Sequence, residues 1–151
     1  MSDSPLGNKI AQVAIVVHDM DAAVANWERM LGVPVSFQVT TEPGEKVNQT
    51  LRGAPSRGQC KLAFFNLENI QVELIQPLGG NTVWQEALDQ KGEHVQHLAF
   101  WVEGMPRCVE FLGEQGITVS QRGDMGEGQY VYFDAAAKAG VDLELLEKVR
   151  A

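Results

Sequence analysis

Gln12-Val-Ala-Ile-Val-Val17 and His97-Leu-Ala-Phe-Trp-Val102 decide how this chain is read, because they open two stretches that say nearly the same thing 85 residues apart. The apolar helical positions Met20, Ala23, Val24 and Trp27 recur at Met105, Cys108, Val109 and Leu112 with no gap. Each half then closes on a similar strand, Gln71-Val-Glu-Leu-Ile75 and Asp142-Leu-Glu-Leu-Leu146. Four polar side chains therefore occupy paired positions, Gln12 with His97 and Glu73 with Glu144. Two copies of one folding unit related by a pseudo-twofold axis bring equivalent strand positions towards that axis, and these four side chains converging there predict a divalent metal site. A lone glutamate on a strand, or a lone histidine, is more often an ordinary structural residue. The equivalence of the four carries the prediction.

Three oxygens and one imidazole nitrogen suit Zn, Co, Ni or Mn better than copper or an iron-sulfur cluster. Four protein ligands leave positions open on a six-coordinate ion, enough for two substrate oxygens or for one oxygen and a water.

The 151 residues suit one compact domain, which at this size buries roughly 70% of the surface its unfolded chain exposes. With 12 basic and 20 acidic residues the net charge is -8, which argues against nucleic acid as a partner because neutralising phosphates needs a basic face. Cys60 and Cys108 are the two cysteines, and Cys108 fits the apolar stripe of a helix, so both read as reduced structural residues. No stretch approaches the roughly 18 apolar residues of a membrane span. Met1 to Asn8 lacks the basic and apolar regions of a signal peptide, so a cytoplasmic protein is expected, with no membrane partner.

The local pattern predicts a strand over Lys9 to Val17, buried on both faces, then a helix capped by Asp19 and stopped by Gly32. Strands follow at Val33 to Thr40 and Val47 to Leu51, flanking a turn at Glu42-Pro-Gly44, and Gly53 to Gln59 reads as a loop. Cys60 to Phe65 and Ile70 to Gln76 read as a hairpin. Gly79-Gly80 makes a joint, and Thr82 with Gln85 opens a short helix that ends before Gly92. The second unit runs from strand Val95 to Val102 through helix Pro106 to Gln115 to strands Ile117 to Ser120, Gln129 to Phe133 and Val141 to Leu146. The expected fold is thus α+β, one domain over 1–151 made of two tandem units, each a strand and a helix followed by a run of strands, about 9–78 and about 94–148, joined by a linker helix at about 81–91 and paired around a central metal site.

This pattern resembles the vicinal oxygen chelate superfamily over essentially the whole chain from Lys9 to Lys148. Within it, Gln71-Val-Glu-Leu-Ile-Gln-Pro-Leu78, the helix Trp84 to Gln90, and Gly92-Glu-His-Val-Gln-His-Leu-Ala-Phe-Trp-Val102 are most similar to methylmalonyl-CoA epimerase. The resemblance implies metal binding by His97, by Glu73 before the Pro-Leu pair, and by Glu144, which also serves as a catalytic base. It further implies two tandem βαβββ units around a divalent metal, and removal of a proton alpha to a carbonyl through an enolate; the symmetry of Glu73 with Glu144 makes Glu73 the expected second proton-transfer group. The expected substrate is a small molecule, an acyl-CoA or a chiral alpha-substituted ketone, and a homodimer is expected. Two departures stand out. The epimerases usually carry a histidine where this chain has Gln12, although eukaryotic-type glyoxalase I has a glutamine there. The epimerases' early-strand glutamate base falls at or near Asn48, which cannot take a proton, while Glu45 lies on the opposite strand parity.

The alternatives are a glyoxalase I-like lactoylglutathione lyase and a non-catalytic small-molecule binding protein of the resistance type. Against the first, the arginine by which glyoxalase I holds glutathione falls at Val16; the intact ligand set argues against the second. Extradiol dioxygenases need a histidine where Gln12 stands. Asn48, Gln49, Trp101 and Tyr132 are the candidate substrate-binding residues, with Tyr130 beside them. Lys46, Arg52, Arg57 and Lys61 form a loose basic cluster suited to an anionic group such as a CoA phosphate. His18 and His94 have no repeat partners and read as surface residues.

Overall fold

The structure is a computed structural model and describes residues 3–148; the remaining residues of the expected 1–151 domain, at both ends, lie outside it. The first unit runs β1 (Gln12–Val16), α1 (Met20–Leu31), β2 (Phe37–Thr40), a 3-10 turn (Gly44–Val47), β3 (Thr50–Leu51), β4 (Ala54–Pro55), β5 (Cys60–Asn66) and β6 (Gln71–Pro77). The linker helix α2 (Val83–Lys91) follows. The second unit is β7 (His94–Trp101), α3 (Met105–Gly113), β8 (Val119–Met125), β9 (Gly128–Phe133), α4 (Ala136–Ala139) and β10 (Asp142–Lys148).

All ten strands form one sheet in the order β2-β5-β6-β1-β7-β10-β9-β8-β3-β4. The first four strands are mirrored by the next four, so the repeat seen in the sequence is the symmetry of the sheet. β1 and β7 meet antiparallel at the centre, flanked by the parallel pairs β1–β6 and β7–β10. The register fixes the equivalences: Gln12 pairs with Gln71 as His97 pairs with Asp142, and Ala14 pairs with Glu73 as Ala99 pairs with Glu144.

The helices form where the pattern places them. Asp19 accepts from the Ala22 amide at 3.1 Å and Thr82 from the Gln85 amide at 3.1 Å, each satisfying a first-turn N–H that has no partner within its helix. The α1 stripe buries Met20 and Val24 against Ala63, Phe65, Val72 and Leu74. Its repeat mate α3 buries Met105, Cys108 and Leu112 against Val131, Phe133 and Leu145. Each fully buried Leu, Phe or Met contributes about 1.5–3 kcal/mol by leaving water. α2 packs Val83, Trp84 and Leu88 on the other side, against Ala14, Val16, Cys60, Ile75 and Tyr132.

The strand expected at Val47–Leu51 forms only at Thr50–Leu51. Asn48, at φ 52°, ends the 3-10 turn, and the Gln49 amide bonds back to the Gly44 carbonyl at 2.9 Å. Gly44 is needed there, since a Cβ would sit 2.0 Å from the Ser56 carbonyl oxygen. Within the expected loop Gly53 to Gln59, Ala54–Pro55 pairs with β3. The strand expected from Val33 begins at Phe37, beyond Pro34, which has no N–H to give a ladder. β8 continues five residues past Ser120, held by pairing to β9 that its polar side chains do not advertise. Cys60 and Cys108 are free, as expected. Among the described residues no helix is long and apolar enough to cross a membrane.

Candidate metal and active site

Strands β6, β1, β7 and β10 lie side by side at the middle of the sheet, and each sends one polar side chain to the same place. Gln12, Glu73, His97 and Glu144 are all buried. Ala14 stands across from both Glu73 and His97, and Ala99 across from both Glu144 and Gln12, so the residues between the four are small. His97 Nε2 is the hub: it lies 3.0 Å from Gln12 Oε1, 3.3 Å from Glu144 Oε1 and 3.7 Å from Glu73 Oε1.

Two further glutamines aim these donors. Gln12 Nε2 donates to Gln71 Oε1 at 2.7 Å, which turns the Gln12 carbonyl oxygen inward. His97 Nδ1 lies 2.6 Å from Gln96 Oε1, which favours the tautomer that donates from Nδ1 and keeps the lone pair on Nε2. Gln96 can reach because the β1–β7 register shifts between Ala14 and Ile15, a bulge that leaves Gln96 unpaired and buries it beside His97 in spite of strand alternation. Three side-chain oxygens and one imidazole nitrogen then converge on one buried point, a donor set with the chemistry to hold a divalent cation. Metal bonds of about 2.0–2.2 Å place neighbouring donors roughly 3.0–3.4 Å apart, and two of the three observed separations fall in that range. Among the described residues His, Cys, Asp and Glu alone make no ready three-residue metal cluster; the set depends on the Gln12 oxygen and on the wider Glu73 contact closing.

Burial, reinforced by the facing Glu144 carboxylate, pushes the Glu73 carboxyl well above the usual carboxylate range, with the Gln12 amide opposing in part. Burial likewise raises the Tyr132 phenol, with both glutamates adding to it. Tyr132 meets the His97 ring edge-on at 5.0 Å and accepts a hydrogen bond from Trp84 Nε1 at 2.9 Å.

Above this floor opens a cavity of about 530 Å³. Gln12, Glu73 and Glu144 reach it, and Trp101, Tyr130, Tyr132 and Gln49 stand in its wall. Tyr130 donates its hydroxyl to Gln49 Oε1 at 2.6 Å, and Gln49 Nε2 donates to Ser56 Oγ at 2.7 Å and the Gly58 carbonyl at 3.1 Å. Asn48, expected to touch substrate, is exposed and does not line the cavity; its amide donates to Asp124 Oδ2, a lining residue, at 2.7 Å. The expected basic cluster does not gather at the cavity. Arg52 is drawn away to Glu86 at 3.0 Å and Asp134 at 3.2 Å, and Lys46 pairs with Glu42 at 3.6 Å. His18 is exposed and His94 half-buried, both apart from the hub.

With this geometry in view, residues 11–133 match the sequence profile of the glyoxalase/bleomycin resistance protein/dioxygenase superfamily. The chain belongs to that superfamily. The uncharacterized protein YqjC of Bacillus subtilis (strain 168) is 26% identical over 115 residues, 76% of this chain and 72% of its own. Among solved structures, methylmalonyl-CoA epimerase from Mycobacterium tuberculosis superposes with a TM-score of 0.68 at 21% identity, covering 99% of this chain and 94% of its own. A variant of the Streptomyces coelicolor methylmalonyl-CoA epimerase in complex with 2-nitronate-propionyl-CoA gives 0.66 at 20%, covering 95% and 99%. These likenesses establish the vicinal oxygen chelate fold of the superfamily.

The sequence reading passed over Gln71, Gln96 and Trp84. Gln71 was legible, being the residue beside Gln12 in a parallel pair of repeat strands. Gln96 was not, because only the bulge turns it inward.

Proposed function

We propose that this protein is a metal-dependent epimerase or racemase that moves a proton alpha to a carbonyl through an enolate, in the manner of methylmalonyl-CoA epimerase. The observation that carries the reading is the convergence of three oxygens on His97 Nε2, at 3.0, 3.3 and 3.7 Å, beneath an apolar cavity. Gln12, Glu73, His97 and Glu144 would hold a divalent ion of the Zn, Co, Ni or Mn kind. When bound, such an ion supplies Lewis-acid stabilisation of the developing enolate, worth several kcal/mol.

The rest is the work of the chain. Glu144 and Glu73 stand on opposite sides of the β1–β7 junction, so each addresses one face of a planar enolate held between them. Glu144 takes the α-proton from one face and Glu73 delivers one to the other, while Tyr132, Trp84 and the alanine pair keep the floor dry. Asn48 is engaged with Asp124 and its amide does not titrate as an acid or base, which leaves the two glutamates as the acid-base pair. The acyl-CoA ligand of a fold neighbour supports an acyl-CoA as substrate, with a chiral alpha-substituted ketone as the alternative carrying the same acidic α-proton.

The test is uptake of deuterium at the α-carbon from heavy water. Glu144→Gln keeps an oxygen ligand and removes the base, so metal content should persist while exchange falls about 10²- to 10⁴-fold. Near-wild-type exchange in metal-replete Glu144→Gln protein refutes the assignment. The Gln12 oxygen in the donor set favours one second reading, a glyoxalase I-like lactoylglutathione lyase, and lactoylglutathione formation from the methylglyoxal hemithioacetal would establish it instead.

A further inference from the structure

Among the described residues, the charged side chains that line the cavity are all acidic. Glu73 and Glu144 lie at its floor, Glu42 and Asp124 at its lip, and no described lysine or arginine lines it. The cations near the lip are spoken for: Lys46 pairs with Glu42 at 3.6 Å, Arg122 with Asp124 at 3.8 Å, and Lys148 sits 5.2 Å over the outer Trp101 ring. A carboxylate is recognised by charge-assisted donors, above all a bidentate arginine, and the described wall offers none, which leaves only an ion at the floor to meet one. Two glutamates at the floor also cancel the charge of any divalent ion they hold, so a substrate bringing its own carboxylate makes the closed cavity net negative.

The apolar side of the wall is built for a different group. Phe37 and Phe64 stack at 4.3 Å with an interplanar angle of 19°. Phe37 and Val39 on edge strand β2, and Trp101 across the mouth, are each nearly half exposed, at 47%, 47% and 48%. Exposed aromatic and branched residues continuous with a cavity mark a surface that a ligand covers.

We infer that the substrate is an α-stereogenic thioester or ketone whose α-carbon carries an aromatic or branched apolar group and no carboxylate. This rests on the epimerase reading above and narrows it away from the dicarboxylic acyl group of methylmalonyl-CoA. Matched probes test it: 2-phenylpropionyl and methylmalonyl thioesters, each on CoA and on N-acetylcysteamine, and 3-phenyl-2-butanone as the free ketone. Binding is read from quenching of tryptophan fluorescence, since Trp84 and Trp101 line the cavity, and turnover from α-deuterium uptake. The phenyl thioesters should bind at least about tenfold tighter than their methylmalonyl partners. The CoA, N-acetylcysteamine and ketone arms then show whether the carrier contributes. Equal or tighter binding of the methylmalonyl probes overturns the inference, whether or not exchange occurs. Tighter phenyl binding without any exchange upholds the cavity's selectivity and sinks the epimerase reading.

Discussion

Replacing Gln96 by methionine isolates what the bulge in β7 does. The side chain keeps its length, but the acceptor for His97 Nδ1, now 2.6 Å away, disappears. A buried imidazole N–H left without a partner costs about 1–3 kcal/mol. Against this, Gln96 Nε2 is itself buried without a hydrogen-bond partner, and removing the amide relieves a penalty of the same size. The two terms oppose, so the folding free energy should move by no more than about 1 kcal/mol, a change in Tm of roughly 2–4 °C for a chain of this length. Metal affinity has no such compensation. Once the ring is free to take its other tautomer, affinity should fall about 10- to 100-fold, the usual consequence of losing the partner that orients a metal-binding histidine. Cobalt titration read by calorimetry measures the affinity, and ¹⁵N shifts of the imidazole report the tautomer. Gln96→Glu restores an acceptor and should restore both. Unchanged affinity in Gln96→Met, with the Nδ1–H tautomer intact, refutes the reasoning, and a loss of several kcal/mol of stability would make Gln96 a structural residue only.

Two further outcomes follow from hydrogen bonds made outside the four-donor set. Tyr132→Phe removes the acceptor of the buried Trp84 Nε1–H, 2.9 Å away, and should destabilise the fold by about 1–3 kcal/mol in thermal or denaturant unfolding; an unchanged midpoint would mean the indole finds another partner. Glu147 accepts from the Met105 amide at 2.9 Å and Gln129 Nε2 at 3.0 Å, and the Gln129 bond first, then the Met105 bond, lowers its carboxyl from the usual 4.5. A group with a depressed folded pKa stabilises above its unfolded pKa and ceases to as pH falls through the folded one. Wild type should therefore be the more stable at pH 7, and the gap to Glu147→Gln should close below pH 4.5. A gap that persists unchanged at pH 3 would show that the carboxylate charge is not what holds the start of α3.

The repeat was legible because strand and helix periodicity are local, and a duplicated unit prints its local pattern twice. That sufficed for the two helices on the outer face, for the hairpin β5–β6, and for the pairing of Gln12 with His97 and Glu73 with Glu144, whose equivalence the register bears out. Ala14 and Ala99 were visible too, as the third residues of both opening strands, and their smallness is what leaves room between the four donors. The 44–55 segment was illegible for a physical reason. Its conformation is set by contacts across the fold: Gly44 against Ser56, Gln49 against Tyr130, and Arg52, at φ 49°, against Glu86 and Asp134. None of these appears in a sliding window. β8 hid similarly, since Ser120-Gln-Arg-Gly-Asp124 takes its extended form from ladder bonds to β9 rather than from its own side chains.

The hub is also where stability and function part company. Two glutamates and a histidine are buried at the centre of a sheet whose neighbouring positions are Ala, Val, Leu and Ile, so the strands alone would pack better around apolar side chains. The chain tolerates the arrangement because two of the four donors are tied to groups outside the hub, Gln12 to Gln71 and through it to Asn66, and His97 to Gln96, while the adjoining Tyr132 is tied to Trp84. These ties aim Gln12 and His97 inward, at the cost of a Gln96 Nε2 that has no partner of its own, and they leave inward-facing lone pairs to meet at the hub. The mismatch is thereby confined to one point facing a cavity, where a cation can relieve it. A fold stabilised for its own sake would have removed the mismatch. The duplicated architecture instead supplies the outer packing twice, through α1 and α3, and so carries an unsatisfied centre.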